Sequence, residues 1–359
     1  MGGDIFLATG LIEPEVLFKN GLHQNSLTLY NLFETLGYTC YCIVEKAGNF
    51  VPGYRFLEPE DYVRSPASYR PVVYVEIGLS LDSAWREFLQ QRGCKTAKLY
   101  LGNILNIDTE TVCWLGGMNF PHHNAGGLDE IWTSPHYNMN LSYALALNRL
   151  DKGHLVPYVW DPTWVKGLRH FTGIAVATPK PWTQMDIVIM EPNISFQKCS
   201  LFPILLVKAF AQAYPEWTGR LIVQNSERLF MSHWFRECLV PQLSGMRVVW
   251  KGRQTLGEIL AENPSAAFIS HQLTNDYNYL ILELMHLDYP VLHNSERWSS
   301  FGYNWSVDRW SEALMTLRGM LEGHLASLNN YRVQANQLAW AHSPQNPVNL
   351  AGWLHLLKK

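Results

Sequence analysis

Short apolar runs alternate with longer amphipathic stretches along most of the chain. "DIFLATG" (residues 4–10) reads as a strand, "NSLTLYNLFETLGY" (25–38) as an amphipathic helix with Leu29, Phe33 and Leu36 on one side, and "TCYCIVE" (39–45) as the next strand. Gly37 stands where that helix should end. A loop rich in Pro and Tyr leads to a buried strand, "PVVYVEIG", then to the helical "SLDSAWREFLQQRG" and the strand "TAKLYLGN". "LDEIWTSP" and "HLVPYVWDP" read as the last strands of this half. Strands that alternate with helices call for a parallel sheet with right-handed crossovers.

The alternation loosens in "DPTWVKGLRHFTGIAVATPKPWTQ" and then restarts. This puts a first domain at residues 1–165, a linker at 166–184 and a second domain at 185–322. In the second domain the strands "DIVIMEP", "RLIVQN", "MRVVWKG", "AAFISHQ" and "PVLHN" are each followed by a helical stretch. Five such pairs make a second Rossmann-like unit, and the fold class is α/β with two parallel sheets. Residues 323–359 read as helices without a strand partner, expected to cross back to the first domain.

Composition adds bounds. A chain of 359 residues suits two domains, and 47% hydrophobic against 16% charged residues suits a chain folded nearly throughout. The net charge of -3 offers no general attraction to nucleic acid or anionic membrane, and so argues against a DNA-binding module. Six scattered cysteines without a CxxC pair read as reduced thiols of a cytoplasmic protein. "MGGDIFLATG" lacks a basic region followed by a long apolar run, so no signal peptide is expected, nor is any apolar stretch long enough to span a membrane. Fourteen tryptophans offer aromatic surface for a ring-shaped ligand as readily as filling for a core.

In open α/β sheets ligands bind beyond the carboxyl ends of the strands, so the polar residues that follow strands are the candidates. "EPNISFQKCS" places Asn193 and Ser195 before Lys198 at a helix start, where a point charge and the helix dipole can hold a diphosphate. "WKGRQT" places Lys251 and Arg253 around a glycine, as a phosphate or base pocket or as a plain surface turn. "HQLTND" follows the strand "AAFIS" and carries His271, with Asn275 or Asp276 able to cap the next helix, on which Asn278, Tyr279 and Glu283 follow. Glu283 lies among Leu282, Leu284 and Met285, and a carboxylate there can accept both hydroxyls of a ribose or pair with a basic neighbour.

The first half offers "NGLHQNS", read as a loop before the first long helix, with His23 and Gln24. A neutral His23 can take a proton from a hydroxyl, or be no more than a polar helix-entry residue. "GGMNFPHHNAGG" supplies His122, His123 and Asn124. Adjacent histidines without a third ligand at helical spacing argue for substrate contact rather than metal, and no metal site is expected.

The stretches "EPNISFQKCSLFPIL", "VPYVWDP" and above all "SHQLTNDYNYLILELMHLDYPVLHNSERWSSFGYNW" resemble a family of bacterial and large-DNA-virus proteins of the GT-B glycosyltransferase type, with a donor domain similar to that of glycosyltransferase family 4. The resemblance covers the second domain well and the first more faintly. It implies two facing Rossmann-like domains, an acceptor domain first and a nucleotide-sugar domain second, and a C-terminal helix packed back on the first. It also implies metal-independent chemistry without a cofactor, the donor being a nucleotide diphosphate sugar and a UDP-sugar the first to test. The wider GT-B pattern has an acidic residue, seven others and a Glu; here Asn275 and Glu283 hold those positions. Glu283 thus takes the ribose-binding position, while Asn275 removes a carboxylate from the first. Lys198 falls where the pattern has a basic diphosphate ligand, and Asn193 stands near where an Arg is expected, which leaves neutralisation to Lys198, Lys251 or Arg253.

The expected donor set is therefore Asn193, Lys198, Lys251, Arg253, His271, Asn275, Asp276, Asn278, Tyr279 and Glu283. The expected acceptor set is Gln24, His122, His123 and Asn124, with His23 as base if the anomeric centre is inverted. The acceptor reads as a glycan or a lipid-linked hydroxyl. Two alternatives stay open: a DNA glycosyltransferase acting on a hydroxymethylated base in a virus, and a non-catalytic nucleotide-binding or sugar-binding module.

Overall fold

A computed structural model describes residues 2–13, 17, 21–46, 48, 51–113, 126–172 and 180–358. By its internal contacts the chain forms two compact units, Met1–Asp161 with Ala341–Lys359, and Pro162–Trp340.

The first unit runs β1 (Asp4–Ala8), α1 (Gly21–Thr35), β2 (Thr39–Ile43), β3 (Phe56–Leu57), α2 (Pro59–Arg64), β4 (Pro71–Glu76), α3 (Ser83–Gln90), β5 (Lys95–Tyr100), α4 (Ile104–Cys113), β6 (Glu130–Thr133), α5 (Leu141–Asn148) and β7 (Gly153–Leu155). Among the described residues the strands pair in parallel in the order β3-β2-β1-β4-β5-β6-β7. Helices cover both faces of such a sheet, so an inner strand is apolar beyond its first residue, and Ile5, Phe6, Leu7 and Ala8 of β1 are fully buried. The chain moves from β1 to β2 and β3, then crosses to β4 on the other side of β1. This makes the carboxyl ends of β1 and β4 the switch point of the sheet. Glu76 ends β4 there, fully buried, and meets Arg86 at 2.9 Å and Lys98 at 3.5 Å.

Several local readings of this half change. α1 begins at Gly21, so "HQNS" lies inside the helix rather than in a loop before it. Its polar side chains return to the backbone: Ser26 donates to Leu22 O at 2.9 Å and Gln24 to Leu17 O at 3.4 Å. β7 stops at Leu155, two residues before Pro157, which has no N–H for a ladder. The loop before β4 holds the short β3 and α2.

The second unit runs α6 (Thr163–Thr172), β8 (Ile187–Ile189), α7 (Leu201–Ala213), β9 (Arg220–Val223), α8 (Glu227–Met231), β10 (Arg247–Trp250), α9 (Leu256–Glu262), β11 (Ala267–Ser270), α10 (Tyr279–His286), β12 (Val291–His293), β13 (Tyr303–Asn304), α11 (Trp310–Gly323) and α12 (Leu328–Ala341). Its described strands, also parallel, number six in the order β10-β9-β8-β11-β12-β13. The sixth, β13, comes from "GYNW", where the Asn304 side chain donates to His293 O at 3.1 Å and to Ser295 O at 3.0 Å. α9 is opened by a reciprocal cap in which Thr255 Oγ1 accepts from Glu258 N and the Glu258 carboxylate accepts from Thr255 N.

The expected linker, 166–184, carries most of α6. Of the C-terminal helices, α12 belongs to the second unit: the Tyr331 hydroxyl donates to Tyr289 O at 2.7 Å. The last helix, α13 (Pro347–Lys358), lies with the first unit, where Trp353 donates to Pro157 O at 3.1 Å and meets Trp132 and Phe33 edge-on. Among the described residues no helix is long and apolar enough to cross a membrane.

Candidate functional site

From β8 the chain moves outward to β9 and β10, then returns to β11 on the opposite side of β8. The switch point of the second sheet is therefore the crevice beyond the carboxyl ends of β8 and β11, which are direct neighbours. The loop after β8 carries Asn193 and Lys198, and the loop and helix after β11 carry residues 271–283.

The β8 loop is folded tightly on itself. Asn193 N donates to Lys198 O at 2.9 Å, and Lys198 N to Ser195 O at 3.1 Å. Asn193 adopts a left-handed conformation, φ 53°, which Asn tolerates better than most residues. Its side-chain oxygen accepts Ser200 N at 2.8 Å just before α7, and its amide nitrogen donates to Asn225 O at 3.1 Å. Both ends of Asn193 are thus committed to the loop's own architecture. Lys198 precedes α7 and is partly buried; burial pulls its ammonium below the ordinary lysine range, while the charge of Glu191 acts in the opposite direction.

Glu191, which the sequence reading did not single out, is the most connected side chain here. It follows β8, is 1% exposed, and accepts from Ser270 Oγ at 3.1 Å, from His271 N at 2.9 Å and from Gln272 Nε2 at 3.1 Å. Burial pushes its carboxyl up to about 7, against the lowering effect of these donors and of Lys198. A carboxylate written directly after an apolar strand, "IVIMEP", was the available signal.

The cap of α10 is Asn278, not Asn275 or Asp276, and the helix starts at Tyr279. Asn278 Oδ1 accepts Leu280 N at 3.1 Å, and Nδ2 donates to Ser270 Oγ at 2.9 Å. The later start places Glu283 one turn into α10, where it is 8% exposed rather than turned to solvent. Asn275 is buried and donates to the Gln272 side chain. Asp276 is drawn toward the β12–β13 loop, accepting Glu296 N at 2.9 Å and pairing with Arg297 at 3.6 Å.

Thr274 is held at φ 49°, a strained choice for a β-branched residue, and Gln197 bonds its hydroxyl at 2.5 Å. Leu273 N also donates to Gln197 O at 2.9 Å, so the two loops are joined by backbone and side chain.

His271 is placed differently from its expected role. Its ring is fully buried, 4.9 Å from the Phe202 ring and 5.5 Å from the Trp305 ring, and neither ring nitrogen has a hydrogen-bond partner among the described residues. Burial lowers its pKa to about 4, so the ring is neutral. Lys251 and Arg253 follow β10, at the sheet edge and two strands from β8; Lys251 pairs with Glu262 at 3.4 Å, and Arg253 is exposed.

In the first unit His23 and Gln24 lie in the first turn of α1, on the connection that leaves the carboxyl end of β1. His23 is partly buried and Gln24 is buried. His122, His123 and Asn124 lie outside the described residues. Among the described residues no group of three or more His, Cys, Asp or Glu side chains is placed to hold a metal ion.

Two Rossmann-like units with parallel sheets define the GT-B fold, and solved structures of that class match over the whole chain. TarM superposes with a TM-score of 0.62 at 7% identity, covering 100% of this chain and 99% of its own. The trehalose-6-phosphate synthase OtsA gives 0.61 at 10% identity, with 100% and 99% covered. HepE from Anabaena, crystallised with UDP and glucose, gives 0.55 at 12% identity, with 99% and 100% covered. At these identities the likeness is one of fold. Residues 7–357 match the family described as "Protein of unknown function (DUF2827)", and the chain belongs to that family. No curated protein matches the sequence.

Proposed function

We propose that the chain is a glycosyltransferase that moves a sugar from a nucleotide diphosphate sugar to a hydroxyl of a glycan or lipid-linked acceptor. The observation that carries this reading is the content of the β8/β11 switch point: one partly buried lysine, a helix capped by Asn278, and the buried Glu283 one turn into that helix. The Asn275 to Glu283 spacing, like that of family 4 donor domains, supports Glu283 as acceptor of two ribose hydroxyls. HepE was crystallised with UDP and glucose, which makes UDP-sugars the first donors to test. Cys40, Cys42, Cys94, Cys199 and Cys238 are free thiols, in keeping with a cytoplasmic setting.

In this reaction the bond between the anomeric carbon and the diphosphate oxygen breaks, and its electron pair leaves with the nucleoside diphosphate. The acceptor oxygen forms the new bond. Lys198 meets the charge that develops on the leaving oxygen, the role preorganised cations play at such centres. In an inverting reaction His23 takes the acceptor proton.

The test is a panel of nucleotide diphosphate sugars incubated with and without glycan and lipid-linked acceptors, read by release of free nucleoside diphosphate. Acceptor-dependent release is expected from one donor class. Nucleotide binding without release from any donor would make the chain a binding module, and release only with hydroxymethylated DNA would replace the acceptor class.

A further inference from the structure

We infer that Glu191 is a positioning residue for the donor, acting through Ser270 and Asn278 on the helix that bears Glu283; the inference rests on the donor reading above. The geometry is a relay. The Ser270 hydroxyl has one proton, which goes to Glu191 Oε1 at 3.1 Å, and this leaves its lone pairs to receive Asn278 Nδ2 at 2.9 Å. With its nitrogen fixed in this way, Asn278 can present only its oxygen to Leu280 N, as the cap of α10 requires. The orientation of the cap, and with it the first turn of α10 that leads to Glu283, follows from a carboxylate in the loop after a different strand, β8.

Glu191 fixes the approach to α10 as well. Its remaining donors are the His271 backbone N–H at 2.9 Å and the Gln272 side chain at 3.1 Å, so three successive residues leaving β11 turn toward one buried group. The same carboxylate faces Lys198 electrostatically. Asn225 completes the frame by donating to Glu191 O at 3.2 Å and to Met190 O at 3.3 Å. In its ionised form, above about pH 7, every side-chain bond Glu191 makes is one it accepts. A glutamine has the same shape but replaces one acceptor oxygen with a donor, and so sets an N–H against an N–H or O–H.

This predicts coupling rather than independent effects. UDP affinity is measured by calorimetry at pH 8, where Glu191 is ionised, for wild type, E191Q, S270A and the double variant, with the amide exchange of residues 270–281 followed in the same proteins without nucleotide. E191Q and S270A are each expected to weaken UDP binding about tenfold, and the double variant by little more than either alone, because both break one chain of bonds. Faster exchange at His271, Leu280 and Ile281 is expected in E191Q, with the rest of the second unit unchanged. Single effects that multiply in the double variant, or E191Q binding UDP as wild type does, overturn the relay. Wild type that binds no nucleotide overturns the donor reading and the donor role of Glu191 with it, whereas the exchange pattern reports separately on whether Glu191 organises the loop.

Discussion

The Asn278 side chain donates to the Ser270 hydroxyl at 2.9 Å, joining the cap of α10 to the last residue of β11. The Asn278→Ala variant removes both the cap and this link, and is expected to lower the stability of the second unit by about 1–2 kcal/mol. Asn278→Ser retains a capping oxygen without the reach to Ser270 and should recover roughly half of that loss. Urea unfolding followed by far-UV circular dichroism checks both. Equal midpoints for wild type and Asn278→Ala would show that neither bond contributes.

Lys198 and Glu283 are assigned to different parts of the donor, so their variants should separate by ligand. Lys198→Met is expected to weaken UDP at least tenfold while leaving uridine within about twofold, because only UDP carries the diphosphate. Glu283→Gln should weaken UDP and uridine alike, since both carry the ribose. Titration calorimetry of two ligands against three proteins gives the comparison. Undiminished UDP affinity in either variant removes that residue from the donor site.

His271 is a buried imidazole between Phe202 and Trp305 whose two nitrogens have no partner among the described residues, an arrangement that costs about 1–3 kcal/mol per unmet group. Leucine is close in volume and apolar, so His271→Leu should raise the second unit's unfolding free energy by about 1 kcal/mol or more at pH 7.5. Denaturant unfolding at that pH decides it. A loss of stability would mean that the ring nitrogens are satisfied in solution.

The sheets were legible because parallel strands buried on both faces are written as uninterrupted apolar runs, as in Ile187–Ile189 and Ala267–Ile269. What periodicity misses is decided by single side chains. β13 is two residues long, with the Asn304 side chain bonded to His293 O, and the polar Gln24 and Ser26 sit inside α1 with backbone partners for their side chains. The candidate site was readable as a set of strand-end loops, which a switch-point argument locates without knowing any contact. The division of labour within those loops was not. Asn193, Asp276 and Asn278 all read as ligands, yet Asn193 and Asp276 bind neighbouring loops and Asn278 caps α10, since an amide or carboxylate serves a backbone N–H as well as it serves a ligand. Glu191 escaped notice for the converse reason: a charged residue directly after an apolar strand looks like the strand's exposed end, and its burial follows from donors some eighty residues away in sequence.

Buried titratable groups give the second unit opposing pH dependences. His293 is fully buried, with Nε2 on Phe301 O at 2.8 Å and Nδ1 facing Ser295 N at 3.3 Å, so the proton resides on Nε2 and the ring is neutral. Burial lowers its pKa to about 4, as it does that of His271. In the unfolded chain each titrates near 6.5, so each contributes stability that is present above that pH and is lost as pH falls toward 4. Glu191 has the opposite sign. Burial raises it from 4.5 to about 7, so its favourable contribution is complete below 4.5 and is lost as pH rises through 7. Between pH 4.5 and 6.5 the two histidines therefore make the unit more stable with rising pH, and Glu191 opposes them. Glu191→Gln removes the opposing group, and its unfolding free energy should climb more steeply than that of wild type over this window, by about 1.4 kcal/mol per pH unit. Urea midpoints for both proteins at half-unit steps from pH 4.5 to 8 measure the difference. Parallel curves would mean that Glu191 titrates alike in the folded and unfolded chain, as an ordinary carboxylate.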